Sequence, residues 1–347
     1  MIHFFPKFSR DATNTLFAQA LRETGAEHRI FADRISFNYR STVELLFVCL
    51  PNLIRFSLVS GWRSLVVARP APDAVVLSSD IEALIFVAIR FLSRRQRVRI
   101  VFSPFIFTTR GRKWLDAARR AYYAFVLGKI DIAIVHSRAE VGRYDCVFPR
   151  ARARFVFVPF GLNINPRAAV LAEAKAQPPH ARIVVVSAGK SGRDYGTLFK
   201  AVEGLDVETR VVCDFAPAIP PVPPGARVTV LGDCHERAYF DELARSDLVV
   251  VPLAVEDISA GQMVLIQSKA LGRPTIVTDT PTIRDYVTDG VDALLVPLGE
   301  ANAMRAAIER LAGDAELRAR LGEAAMASYE RDYGTRGFMS NLVAAIG

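Results

Sequence analysis

The sequence predicts an α/β chain of two doubly wound domains, and three observations carry that reading. Its 347 residues are about twice the usual domain length. Short apolar runs bounded by Gly, Pro and polar residues alternate with stretches of helical periodicity, the pattern of parallel strands covered by crossover helices. The series then stops in a Pro- and Ala-rich segment, residues 163–180, and starts again beyond it. The expected domains are 1–165 and 166–335, with a final helix over 336–347 packing back toward the first. Two such domains facing across a cleft would hold a ligand at the carboxyl ends of their strands.

Taken in order, the first half shows apolar strands at 2–5, 74–77, 98–102, 132–135 and 155–158, with helices at 81–92 and 112–127. Pro6 stops the first strand, and Asp11 or Thr13 can cap the helix that passes through Leu16, Ala20 and Leu21. The most apolar stretch, 43–59, is interrupted by Glu44, Pro51 and Arg55 and is too short between its charges to span a membrane; 43–67 and 81–92 are expected as buried helices, with apolar contact to a membrane surface as the alternative. Lys7, Arg10 and Asp11 stand where a signal peptide would need an unbroken apolar segment, and a cytoplasmic protein is expected. In the second half the strands fall at 183–186, 209–213, 228–231, 248–251, 275–277 and 293–296. Helices are expected at 195–202, 236–245, 263–271, 301–312 and 315–332.

Cys49, Cys146, Cys213 and Cys234 are scattered without CxxC spacing, and the five His are equally dispersed. Reduced, buried thiols and no metal site are the expectation. The charge is uneven. Residues 1–165 carry 25 Lys and Arg against 12 Asp and Glu, whereas the remainder carries 19 against 24. A basic first half attracts polyanions or anionic lipid. Nucleic acid is the weakest of these partners, because its sequence motifs are missing and no aromatics interleave with the basic cluster at 90–120.

Four spots in the second half carry chemistry. Gly189-Lys190-Ser191-Gly192-Arg193 follows a strand; its small residues let backbone amides approach an anion, and its two cations can grip a diphosphate. Ser259-Ala260-Gly261-Gln262-Met263 opens a helix whose free N–H groups favour negative charge, and Gln267 lies two turns further on, where it could reach a ribose diol. Asp233-Cys234-His235 ends a strand where loops read a base edge. The stretch from Thr280 to Tyr286 reads as a turn and a capped helix.

In this order the residues resemble the C-terminal half of glycosyltransferase family 4, the group 1 transferases of GT-B fold. The likeness is strongest from Ile183 to Tyr333, and runs through SAGKSGRDYGTLFKAV, LGDCHERAYFDELARSDLVVVP and SAGQMVLIQSKALGRPTIVTDTPTIRDYVTDGVDALLVP. It implies that Lys190 and Arg193 hold the leaving diphosphate, in swapped order relative to the family. It implies too that Gly189, Asp233, Cys234, His235, Ser259, Ala260, Gly261, Gln262, Met263 and Gln267 line the donor site. Ser259 and Gln267 stand where the family has two glutamates; Glu256 or Asp257 is the expected substitute acid. In the first half the acceptor side falls near Lys7, Arg10 and Ser103, without the family's Gly-rich loop or cleft histidine.

The resemblance implies a hexosyltransferase that moves sugar from a nucleotide-diphosphate donor to a glycan or lipid-linked acceptor, with retention, in envelope polysaccharide or glycolipid synthesis. No cofactor or metal is expected, since the chain has no DxD pair. The basic half suggests peripheral contact with the anionic inner membrane; oligomeric state is left open. A non-catalytic protein that binds a nucleotide sugar or a partner, and a nucleotide-sugar epimerase, are the rivals.

Overall fold

In the computed structural model the described residues are 1–6, 16–33, 42–109, 111–162, 164, 167–214, 219–256 and 258–347. The chain divides into two units, Met1–Val158 with Met339–Gly347, and Pro159–Phe338. Residues 159–165 therefore go with the second unit.

The first unit is built on a parallel six-stranded sheet of order β2-β1-β3-β4-β5-β6. Its strands are β1 (Ile2–Phe4), β2 (His28–Ile30), β3 (Ala74–Leu77), β4 (Arg99–Phe102), β5 (Ile132–Val135) and β6 (Arg154–Phe157). α1 (Leu16–Glu23) links β1 to β2, and its caps at Asp11 and Thr13 lie outside the described residues. One continuous helix over 42–67 leads into β3; it comprises α2 (Thr42–Glu44), a wide π turn, α3 (Leu50–Trp62) and a second π turn. α4 (Asp80–Leu92), α5 (Lys113–Leu127) and α6 (Arg138–Val147) follow β3, β4 and β5. The steps β2→β3, β3→β4, β4→β5 and β5→β6 all run the same way across the sheet. Right-handed crossovers therefore put α3, α4, α5 and α6 in one layer on one face. Beneath it the core is aromatic: the Phe105 ring meets Phe102, Tyr123, Tyr144 and Phe155 at centroid distances of 5.0–5.8 Å.

Two expectations change here. The helix 42–67 is not a buried one; only a third of its most apolar part is covered. Within it, Leu45–Val67 is long and apolar enough by composition to cross a membrane, and the helix runs on through Pro51 directly after the π turn over Leu45–Cys49. Its other face packs on α4, where Gly61 lies so close that a Cβ would come within 2.7 Å of Ile89 Cδ1.

His3 on β1 is fully buried, with Nδ1 2.8 Å from Ser64 Oγ and its ring tilted against Phe31. Burial, then the charges of Arg29 and the N-terminus, pull its pKa from 6.5 down to about 4. The unfolded chain thus binds the proton first as pH falls. The contribution of neutral His3 is complete above pH 6.5 and is lost progressively from there to about 4, up to roughly 3 kcal/mol in total. Urea midpoints at pH 7.5 and pH 4.5 are expected to differ more in wild type than in His3→Gln.

The second unit has its own parallel sheet, order β12-β11-β10-β7-β8-β9. Its strands are β7 (Ile183–Ala188), β8 (Val207–Val212), β9 (Val228–Leu231), β10 (Leu248–Val251), β11 (Thr275–Thr278) and β12 (Leu294–Val296). The helices are α7 (Arg167–Ala176), α8 (Tyr195–Val202), α9 (Glu236–Arg245), α10 (Gln262–Ala270), α11 (Ala301–Gly313) and α12 (Ala315–Ser328); a last helix, α13 (Thr335–Ile346), starts in this unit and from Met339 on belongs to the first. Both faces of this sheet are covered, which is why its strands read as unbroken apolar runs. Val184, Val186, Val249 and Val251 point into one core, and Val185, Leu248, Val250 and Ile276 into the other. Strand order reverses between β7 and β10, so the loops after those two strands part and leave a crevice at their carboxyl ends.

Candidate functional site

The two loops at that reversal are stitched together. Arg193 and Leu253 form an antiparallel bridge, Asp194 N–H donates to Pro252 O at 3.1 Å, and Ala254 N–H donates to Gly192 O at 2.9 Å. Gly192 takes φ 63°, and a Cβ there would lie 3.3 Å from Ala260 Cβ. Thus the turn carrying Lys190 and Arg193 and the turn carrying Ser259, Ala260 and Gly261 meet, although some seventy residues separate them in sequence.

Arg193 is the centre of the site. Its Nε donates to Ala188 O and its Nη1 to Ser191 O, both at 2.8 Å, and its guanidinium fills the space over Gly189. Those partners are backbone carbonyls, with no carboxylate among them. Desolvation accordingly pulls its pKa below the ordinary arginine value, with Tyr195, Tyr239 and Cys213 opposing that shift. A pinned cation without a counter-charge is arranged to receive an anion. Gly189 adopts φ 100°, and its carbonyl accepts the Tyr195 hydroxyl at 2.5 Å. Asp194 is spent on α8, where it accepts the Thr197 N–H and hydroxyl at 2.9 and 2.6 Å. Lys190 stands exposed at the tip of the turn.

Gly261 is the N-cap of α10 at φ 88°, and a Cβ would come 3.0 Å from Val251 and 3.1 Å from Leu253. Glycine is required there by both the angle and the space. No side chain caps the helix, so its first N–H groups stay available to a negative ligand. Bracing comes from the strand β11 and the loop after it: Thr278 Oγ1 accepts Leu253 N–H at 2.8 Å, and Thr282 Oγ1 donates to Ile258 O at 3.2 Å. Gln262 is buried, with Nε2 donating to Thr282 O at 3.3 Å, whereas Met263 is exposed.

Gln267 is buried rather than on the surface, and its Oε1 accepts the Tyr239 hydroxyl at 2.6 Å. Burial raises the Tyr239 pKa, and the nearby Arg193 charge opposes that rise. Arg193, Tyr239 and Gln267 are therefore neighbours. Tyr239 is the residue that sequence reasoning missed; its one signal is an aromatic on the helix that follows the Asp233-Cys234-His235 loop. Cys234 is partly buried against the same core as Tyr239, and burial raises its thiol pKa. Asp233 and His235 turn away to the end of β8: Asp233 N–H donates to Asp214 Oδ1 at 2.8 Å, and His235 Nδ1 lies 3.4 Å from Asp214 Oδ2. Asp214, Asp233 and His235 could offer ligand atoms within 4.8 Å of one another, but all three are exposed and no other feature points to an ion.

Glu256 is exposed beyond β10, and Asp257 lies outside the described residues. Ser259 is half-buried. Ser103 ends β4 in the other unit, and Lys7 and Arg10 lie outside the described residues. Arg284 in the last loop forms a two-pronged pair with Asp279 at 2.7 and 2.8 Å, a structural use.

Residues 168–314 match the family model described as "Glycosyl transferases group 1". This stretch is similar to group 1 glycosyl transferases. It spans the whole site, from ahead of β7 to beyond α11. The chain is also similar to an alpha-D-kanosaminyltransferase of Streptomyces kanamyceticus, 29% identical over 97 residues. That alignment covers 28% of this chain and 24% of the relative. Among solved structures, a sucrose-phosphate synthase from Thermosynechococcus elongatus superposes with TM-score 0.68 at 18% identity, over 99% of this chain and 97% of that one. HepE from Anabaena, solved with UDP-glucose, gives 0.65 at 14% identity, over 99% and 98%. The fold is GT-B, with the group 1 segment in its second unit.

Proposed function

We propose that the chain is a glycosyltransferase whose second unit binds a nucleoside-diphosphate sugar. The observation that carries this reading is Arg193: a pinned guanidinium without a carboxylate partner, joined through Gly192 and Ala260 to the uncapped N-terminus of α10. The similarity of 168–314 to group 1 glycosyl transferases, and of the fold to a protein solved with UDP-glucose, supports the same ligand class.

In the transfer, the bond between the anomeric carbon and the terminal phosphate oxygen breaks, and its electron pair stays on the phosphate. The acceptor hydroxyl oxygen bonds to that carbon, and its proton passes to the leaving diphosphate. Arg193, Lys190 and the α10 amides would stabilise the charge developing on the leaving diphosphate, commonly the largest single contribution in such chemistry. Gln267, its oxygen engaged by Tyr239, would turn its amide N–H groups to the ribose. The reading extends to retention of configuration and a glycan or lipid-linked acceptor, on the family likeness alone.

Calorimetric titration with UDP, GDP and ADP, and with the matching monophosphates, tests the donor class. One diphosphate is expected to bind about tenfold or more tightly than its monophosphate, the margin of one charge-assisted contact. No binding by any of them would overturn the proposal. In Tyr239→Phe the bound nucleotide is expected to weaken about fivefold, and its 2′-deoxy form less, since the lost hydrogen bond orients only the ribose contact.

Ser259 and Gln267, neither of them acidic, favour a second reading: a protein that binds the donor without transferring it. Donor turnover over a panel of acceptors separates the two, because the second reading allows binding with none.

A further inference from the structure

The helix over 42–67 is apolar on both sides. Its buried face puts Leu53, Phe56 and Leu65 into the core beside the small residues Ser57, Ser60, Gly61 and Ser64, with the Ser57 and Ser60 hydroxyls turned back onto the carbonyls of Leu53 and Phe56. Its outward face carries Phe47, Ile54, Leu58 and Trp62, at helical spacing, with Phe47 75% and Trp62 56% exposed. A helix stabilised only by its own core would keep this outward face polar.

The outward face does not stand alone. α3, α4 and α5 share one layer on one face of the sheet, so their outer surfaces look the same way. α4 ends in Phe91 and Leu92, the latter 78% exposed, and α5 adds Trp114 at 71% and Phe125. Large apolar side chains thus recur across the whole layer, beyond what a soluble surface normally shows in one place.

Charge selects the occupant. Arg55 and Arg63 are exposed on the helix, Arg94 and Arg97 follow α4, and Arg112, Lys113 and Arg120 stand at α5. In the segments 42–67, 80–97 and 112–127, no carboxylate is classed as exposed among the described residues: Glu82 is buried, and Glu44, Asp80 and Asp116 are half-covered. Beside α5 opens a groove of about 580 Å³, lined by Lys113, Arg120 and Arg150 with Ala117 and Ala121. Arg55 is paired with Asp33 at 3.3 Å, but basic groups outnumber carboxylates across the layer. Aromatic and aliphatic groups interleaved with this excess of arginine match the interface of an anionic bilayer, where rings sit at headgroup depth and guanidinium groups meet phosphate.

We infer that the α3–α4–α5 layer docks the protein on an anionic lipid bilayer. The helix lies in the interface and does not cross it, since its small-residue face is held against α4 by the close approach at Gly61. This surface belongs to the first unit and does not rest on the donor site.

Both tryptophans of the chain, Trp62 and Trp114, are on this layer, so their fluorescence reports the contact directly. Full-length protein is mixed with vesicles of phosphatidylcholine alone, or with about one third phosphatidylglycerol, in low and in high salt, and is also sedimented with them. The expected result is a blue shift and co-sedimentation with the anionic vesicles, weakened by salt, and neither with phosphatidylcholine. Arg94→Glu/Arg97→Glu is expected to lower vesicle affinity about tenfold or more, and Phe47→Ser/Leu58→Ser to lower it comparably. All four positions are exposed, so unchanged circular dichroism separates lost docking from lost folding. No response to anionic vesicles in low salt overturns the inference. So does equal binding to both vesicle types, or a blue shift that follows protein concentration without lipid, which would assign the face to a second copy of the chain.

Discussion

Arg193→Ala is expected to weaken nucleoside-diphosphate binding by about 10²- to 10³-fold, the equivalent of two charge-assisted hydrogen bonds. Melting should change little, because Arg193 contributes to the turn only two bonds to backbone carbonyls that water can replace. Arg193→Lys is expected to recover only part of the affinity: an ammonium keeps the charge but cannot hold Ala188 O, Ser191 O and a phosphate in one plane. Calorimetric titration of the three proteins against the diphosphate that wild type binds best is the measurement. Equal affinity in Arg193→Ala would remove this residue from the site.

Asp292→Ala is expected to destabilise the second unit by about 3–5 kcal/mol, a loss of roughly 10 °C in its melting transition. Lys269 is fully buried on α10, two residues beyond Gln267. Its Nζ donates to Asp292 Oδ2 at 2.5 Å and to Ser328 Oγ at 3.0 Å, and it lies 5.4 Å from the centre of the Tyr333 ring. Burial pulls the Lys269 pKa down, and the Asp292 charge and hydrogen bond pull it back up. Without Asp292 the ammonium must either lose its proton or stay charged and unpaired. The Thr288 N–H that donates to Asp292 Oδ1 at 2.9 Å also loses its acceptor. The double variant Lys269→Met/Asp292→Leu should lose less than Asp292→Ala alone, because replacing a whole buried pair by apolar groups leaves no stranded charge. Differential scanning calorimetry of wild type and both variants decides it.

Much of this fold was legible because parallel strands covered on both faces are short apolar runs, and such runs stand out. β3, β5, β9 and β10 fall at the expected residues, as do α8 and α9. β2 was missed: it is a three-residue edge strand, His28–Ile30, only partly buried, so burial left no apolar signature in its sequence. α6 was missed because Arg138–Val147 is polar along most of its length, and only its Ser137 cap, which accepts Ala139 N–H at 3.1 Å, marks its start.

The site was legible in part for a related reason. Lys190, Arg193 and Gly261 sit in small-residue turns directly after strands, where a sheet of this type exposes backbone to ligands. Tyr239, Thr278 and Thr282 carry no such mark. Thr278 and Thr282 reach the site because strand order reverses at β7, which brings the loops after β7, β10 and β11 together, and Tyr239 reaches it from α9 through its hydrogen bond to Gln267.

What the sequence determined by itself was the alternation of strands and helices, the restart that makes two units, and the residue types available for a phosphate. The tertiary structure alone decided which side of an apolar segment faces inward. Composition sets how much apolar surface the helix over 42–67 carries. Its direction is set by fit: Leu53 and Phe56 enter the core, and beside Phe86 and Ile89 the close approach leaves no room for a side chain at Gly61.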